Sequence, residues 1–138
     1  MKITGLDVWS ITMRLTEPYT IAYESVDEAT NIFIRIKTGG GIVGYGCAAP
    51  DTQVTGETPR SASDFIDSAA RYHLMGKDPL EFRHILDEIG RITPRAPSSI
   101  AAVDMALLDI LGKVSGLPIF RLLGSPRHRI ATSATIGI

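Results

Sequence analysis

A single cysteine, Cys47, in 138 residues rules out an internal disulfide and suits a reducing compartment. No stretch approaches the ~20 continuous apolar residues needed to span a bilayer. The N-terminus carries one lysine, Lys2, and then alternates, so it lacks the apolar core of a signal peptide. Charge of either sign is not in excess. With 14 Lys and Arg against 15 Asp and Glu, the formal net charge is -1, which leaves no electrostatic case for a nucleic-acid or membrane partner. The 3 histidines, His73, His84 and His128, show no His-x-x-x-His or Cys-His spacing, which argues against a zinc site built from this chain. These absences lead us to expect a cytoplasmic protein.

What is present is ordinary for a globular chain: 44% hydrophobic and 21% charged residues, enough for one compact domain with a core. Ile3–Leu15 is rich in β-branched and aromatic types, with Trp9, Ile11, Met13 and Leu15 alternating. Leu6 and Val8 sit in the opposite phase, which predicts a bulge between the two sets. Thr16–Ser25 has no sustained period and reads as a loop. Ile32, Ile34 and Ile36 then point one way and Asn31, Arg35 and Lys37 the other, a second strand. Thr38-Gly39-Gly40-Gly41 supplies a tight turn, and Ile42–Cys47 returns as a third.

After an irregular stretch, Ala48–Glu57, helix signals take over. Thr58-Pro59 is an N-cap with proline at the first helical position, and Ala62, Phe65, Ile66, Ala69 and His73 share a face up to Gly76. Asp78-Pro79-Leu80-Glu81 repeats the start signal. Phe82, Ile85, Leu86 and Ile89 form that helix's stripe, with Gly90 as its C-cap. Ser98 or Ser99 should cap a third helix with the stripe Ile100, Val103, Leu107, Ile110, Leu111 and Val114. Ile130–Ile138 reads as a strand without a partner. Such a strand leaves backbone groups unsatisfied, so we expect the continuous protein to extend into a second domain, and this chain alone to aggregate or to order that strand only against another chain.

Candidate chemistry within these residues is thin. Gly39-x-Gly41-x-x-Gly44 matches the dinucleotide-binding spacing, but that motif joins a strand to a helix, and here a strand follows. A glycine-rich hairpin explains it better. Cys47 has no neighbouring histidine and fits a packed thiol rather than a nucleophile. Asp104 and Asp109 lie about 140° apart on a helix and cannot share a face, so helix-flank ion pairs are expected of them.

The third helix carries Ile100-Ala-Ala-Val-Asp104-Met-Ala106-Leu107-Leu-Asp109-Ile-Leu-Gly112-Lys113, then Gly116-Leu-Pro118 and Leu122-Leu-Gly124. This resembles the signature joining capping domain to barrel in the mandelate racemase and muconate lactonizing enzyme branch of the enolase superfamily. Gly44-Tyr-Gly46-Cys-Ala-Ala-Pro50 is similar to that family's G-x-G-E-A-x-P, with Cys47 replacing the usual glutamate. Thr132-Ser133-Ala134-Thr135-Ile136-Gly137 is similar to the first barrel strand of dipeptide epimerases. The resemblance covers essentially the entire chain.

It implies an α+β capping domain, a three-stranded antiparallel sheet plus helical bundle, over residues 1–125, and the first strand of a truncated (β/α) TIM-like barrel over 126–138. It implies an isomerase, most like a dipeptide epimerase, with a muconate cycloisomerase-like enzyme or another racemase of the branch as the alternative. In that family two barrel lysines move the proton beside a carboxylate and three acidic residues hold Mg²⁺. Those residues come from later strands. Lys2, Lys37, Lys77 and Lys113 form no Lys-x-Lys strand motif, so we expect no catalytic and no metal-binding residue in this chain.

The resemblance assigns substrate contact to Thr135 and to Glu24, a lid carboxylate that would favour a cationic and reject an anionic dipeptide side chain. It also places Tyr19, Ile21, Tyr23 and Val54 on two capping loops, Tyr19–Ser25 and Asp51–Gly56. The expected partners are a small dipeptide or related carboxylate and further copies of the chain in a homo-oligomer. A reading of another class, a non-catalytic truncated module, stands beside these.

Overall fold

The computed structural model describes residues 1–21, 24–92, 95–125, 127 and 129–133, and only the backbone of Tyr19, Ile21 and Glu24. Three antiparallel strands, β1 (Ile3–Ile21), β2 (Glu24–Thr38) and β3 (Val43–Ala48), form a sheet in the order β1-β2-β3. The isoleucine alternation on β2 sets its faces: Ile32, Ile34 and Ile36 are at most 1% exposed, and all pack on the helices. The turn from β2 to β3 needs one left-handed residue, Gly41 at φ 81°.

The bulge lies elsewhere than expected. No shift separates Leu6 and Val8 from Trp9, Ile11 and Met13; the irregularity falls between Ile3, opposite Thr38, and Gly5, opposite Lys37. That extra residue brings Ile3 and Leu6, at positions of opposite parity, to the same buried face. Trp9, Ile11 and Met13 consequently line the outer face, where Trp9 stacks on its cross-strand partner Phe33 at a centroid distance of 6.1 Å. The reading of Thr16–Ser25 as a loop is also corrected. The strands run on as a long hairpin, with Tyr19 opposite Val26, Thr20 opposite Ser25 and Ile21 opposite Glu24. A second shift between Arg14 and Tyr19 accommodates Pro18, which has no N–H for the ladder. That interruption hides the strand period from the sequence.

The helices cover the other face. Thr58 and Ser61 form a reciprocal capping box for α1 (Pro59–Phe65). A π-helical turn, Ile66–Ala70, follows and leads into α2 (Arg71–Leu74). Ala62, Ile66, Ala70 and Leu74 are the fully buried positions along this run. A 3-10 turn, Pro79–Glu81, with Asp78 accepting from Leu80 N, precedes α3 (Phe82–Ile92). Gly90 lies inside α3 and does not end it.

The long helix α4 (Pro97–Ser115) ends on left-handed Gly116 and is followed by the short α5 (Ile119–Leu122). Its buried face differs from the predicted stripe. Val103, Leu107 and Ile110 are buried as expected, Val114 is exposed, and Ala102 and Ala106 are buried as well. Those alanines meet β3, where a Cβ on Gly46 would collide with the Ala102 carbonyl oxygen and one on Gly44 with that of Ala106. Helix and strand backbones are therefore in direct contact. Of the expected strand Ile130–Ile138, residues 130–133 carry no strand and 134–138 lie outside the described residues.

Gly46→Ala should cost about 3 kcal/mol or more, because neither backbone can give way without unpacking the sheet. Gly41→Ala, strained only by its φ of 81°, should cost about 1–2 kcal/mol. Urea titrations of the two variants, read by far-UV circular dichroism, check the order.

Candidate functional site

Hydroxyl-rich and acidic segments meet at one end of the sheet. A cavity of about 410 Å³ lies between β2 and the chain that leaves β3, lined in part by Val26, Glu28 and Asn31 on one side and Pro50, Asp51 and Thr52 on the other. The second predicted capping segment contributes Asp51 and Thr52, and on the other side Val26, one residue past the first segment, pairs with Tyr19 near the hairpin tip. Glu28 and Asp51 give its wall an acidic character.

The loop Asp51–Gly56 is organised by its first residue. Asp51 Oδ1 accepts from Gln53 N at 2.8 Å and Val54 N at 3.0 Å, an Asx-type turn. The Asp51 carbonyl accepts from Thr55 N, Thr55 Oγ1 and Gly56 N, with Gly56 left-handed at φ 73°. Val54 is thereby presented at the tip, 79% exposed.

The loop ends in a buried carboxylate. Glu57, 3% exposed, was part of an undifferentiated irregular stretch in the sequence, and its role was missed. Its Oε2 accepts from Ser98 N at 2.7 Å and Ser98 Oγ at 2.6 Å; its Oε1 accepts from Ser99 N at 3.2 Å and Ser99 Oγ at 2.5 Å. The expectation that Ser98 or Ser99 caps α4 is corrected accordingly. The N-cap is Ala96, which makes no side-chain cap bond. Glu57 reaches across to satisfy the free first-turn amides at the positive end of the helix. Burial pushes its carboxyl up, but the serine hydroxyls and amides outweigh burial and hold it below the usual carboxylate range. A glutamate beside an N-cap in one place and a Pro-Ser-Ser helix start in another was the only signal, and it gives no hint that the two meet.

Of the other candidates, the register sets Glu24 opposite Ile21 at the hairpin tip and Tyr19 opposite Val26. Tyr23 and Thr135 lie outside the described residues. Cys47 is half-buried, and burial pushes its thiol up, away from nucleophile character. Asp109 forms the expected flank ion pair with Lys113, at 2.6 Å. The pair also serves the open edge of β3: Asp109 accepts from Tyr45 N and Lys113 donates to the Val43 carbonyl. His73 and His84 both face Glu88, His84 at 3.1 Å and His73 at 3.8 Å, with Lys77 at 3.2 Å. The Lys77 hydrogen bond leads in holding the Glu88 carboxyl low. Among the described residues, no group of three or more His, Cys, Asp or Glu side chains is placed to hold a metal ion. No helix among them is long and apolar enough to cross a membrane.

Residues 4–124 match the family described as mandelate racemase / muconate lactonizing enzyme, N-terminal domain. The chain is 38% identical over all 138 residues to an L-Lys-D/L-Arg epimerase of Desulforapulum autotrophicum, of which it spans 39%. Its fold superposes with a TM-score of 0.92 and 38% identity on a dipeptide epimerase from Methylococcus capsulatus, solved with Mg and the dipeptide L-Arg-D-Lys. It also superposes at 0.92, with 32% identity, on a dipeptide epimerase from Enterococcus faecalis solved with Mg and L-Leu-L-Tyr. In each structure the match covers 100% of this chain and 39% of the other.

The Glu57 clamp sets a pH dependence. A carboxyl held below its ordinary pKa stabilises the fold above its unfolded value of about 4.3, and that stability is lost as pH falls through the lower folded value. Urea midpoints measured from pH 7 down to pH 3 should fall below about pH 5, and more gently in Glu57→Gln. At pH 7 that variant should lose about 2–3 kcal/mol, because an amide NH₂ facing an amide N–H leaves a donor unpaired.

Proposed function

We propose a function from the premise that this chain belongs to the mandelate racemase / muconate lactonizing enzyme family as its N-terminal domain. The chain covers the active site of an enzyme that epimerises dipeptides by removing the proton on the carbon beside a carboxylate. The observation carrying this reading is the match of all 138 residues to dipeptide epimerases at a TM-score of 0.92, across the same 39% of each.

The chemistry divides accordingly. In this reading the Mg²⁺ that such an enzyme uses, and the bases that exchange the proton, are assigned to the part of the relatives' length this chain does not span. What this chain contributes is cover. Closing two segments over a reaction centre excludes water and selects the side chain that fits. In this reading Glu24, with Tyr19, Ile21 and Tyr23 of the first capping segment and Val54 of the second, makes that selection, and the Thr135 hydroxyl bonds the substrate's peptide group or carboxylate. The relatives named for, or solved with, lysine and arginine dipeptides support a cationic substrate. So does the acidic wall of Glu28 and Asp51.

The full-length enzyme should prefer dipeptides of lysine or arginine over those of glutamate. Glu24→Gln should remove about 1–3 kcal/mol of the preference for cationic over neutral dipeptides in kcat/KM while sparing small neutral ones. An unchanged ratio would return selection to positions outside the hairpin tip. Turnover of an N-acyl amino acid but of no dipeptide would replace the epimerase reading with the racemase alternative. The 138-residue chain by itself should show no turnover, and its Tm should not move with Mg²⁺.

A further inference from the structure

The loop Asp51–Gly56 is anchored at both ends to one rigid unit. Its entry leaves β3 through Ala48, which is 0% exposed, and β3 is locked backbone-to-backbone on α4 through Gly44 and Gly46. Its exit is Glu57, whose carboxylate holds the N-terminus of that same helix by four hydrogen bonds. Between these anchors the loop is tied by Asp51, through its side chain to residues 53 and 54 and through its carbonyl to 55 and 56, and by Thr55 Oγ1, which accepts from Glu57 N. A helix can be capped more simply by a Ser or Asp at its own N-cap. Here the N-cap is Ala96 with no side-chain bond, and the cap comes from a residue 41 positions earlier in the chain. The helix start and the loop are therefore one mechanical unit.

From this we infer that Glu57 is a positioning residue. By clamping the Ser98-Ser99 turn it presets the Asp51–Gly56 loop, and with it the Pro50–Thr52 wall of the cavity and the Val54 tip, so that substrate side chains meet a fixed surface. Its consequence for catalysis rests on the epimerase reading above. Holding the wall in place before binding lowers the ordering cost that would otherwise fall on each substrate with a large side chain. A small dipeptide that does not reach the wall gains nothing from it.

The test separates the two readings. In the full-length enzyme, with Cys47→Ala, nitroxides at Val54→Cys and Tyr72→Cys report the loop's distance distribution from α2; both sites are exposed, at 79% and 81%. Glu57→Gln should broaden that distribution clearly, and Ser98→Ala, which keeps the carboxylate and both amides, should broaden it less. In the same enzyme without labels, Glu57→Gln should raise KM for L-Lys-L-Arg by about 10-fold and leave kcat and KM for L-Ala-L-Ala nearly unchanged. Glu57→Asp, retaining the charge, should recover part of the loss. An unchanged distance distribution in a variant that folds with a lower Tm overturns the inference and makes Glu57 a stabilising cap alone. Equal losses in kcat for both dipeptides overturn it as well. If the wild-type enzyme turns over no dipeptide, the epimerase reading fails by itself, and the distance distributions still decide whether Glu57 positions the loop. Should Glu57→Gln fail to fold, the Ser98→Ala distribution decides: broadening supports the clamp and an unchanged width overturns it.

Discussion

Backbone contact between β3 and α4 is the constraint on which the other arrangements depend. Gly44 and Gly46 have no Cβ, and the carbonyls of Ala106 and Ala102 occupy the space a Cβ would fill. At that separation the helix cannot slide or rotate without collision, so its whole length is indexed to the strand. Asp109 and Lys113, one and two turns further on, then fall where they satisfy the open edge of β3 at Tyr45 N and the Val43 carbonyl. At the other end, Ser98 and Ser99 fall where Glu57 can reach them. The large residues Val103, Leu107 and Ile110 fill the remaining core, but the glycines and alanines set the geometry they fill.

Much of this was legible in the sequence, and the parts that were not share a cause. The isoleucine alternation on β2 and the Thr58-Pro59 start are local signals, and each appears where expected. The family motif in α4 also named the domain, and its small residues, Ala102 and Ala106, carry the close contact. A stripe defined by large apolar residues overlooked them, because alanine contributes little to hydrophobic periodicity. Glu57 with Ser98 and Ser99 was invisible for a stronger reason. The residues are polar, and polar residues in a loop or first helical turn are ordinarily solvated. Only their meeting in space, 41 and 42 positions apart, makes a buried network. The hairpin tip was misread because three additional residues on β1, Pro18 nearby, break the two-residue period between Arg14 and Tyr19.

Charge is distributed to match this plan. On the outer sheet face, Asp7 takes hydrogen bonds from Lys37 and from Arg35 across neighbouring positions, which hold its carboxyl below the usual range. On the helical side, Glu88 gathers Lys77, His73 and His84. Both are partly exposed ion clusters, in which screening by water keeps the energetic return small. Glu57 differs in kind. Among the described residues its hydrogen-bond partners include no cationic side chain, and its charge is balanced by two amides, two hydroxyls and the end of a helix dipole. A buried carboxylate held this way is directional, which an exposed ion pair is not.

The two segments around the cavity are consequently built on opposite principles. The hairpin beyond Arg14 is held by strand pairing; among its described residues Thr16, Glu17, Pro18, Thr20, Ser25 and Asp27 are exposed, and substitutions among them would not disturb the core. The Asp51–Gly56 loop is tied to the core at both ends, through Ala48 of β3 and through Glu57, so changes to its anchors propagate into α4. A scaffold that keeps one core while its surface segments change gains from that division. One wall holds its shape while the other is free to vary, because residues without core contacts carry no packing cost when they change. The exposed hairpin positions are thus where side chains can change at little energetic cost, and the clamped loop is the wall whose changes reach the core.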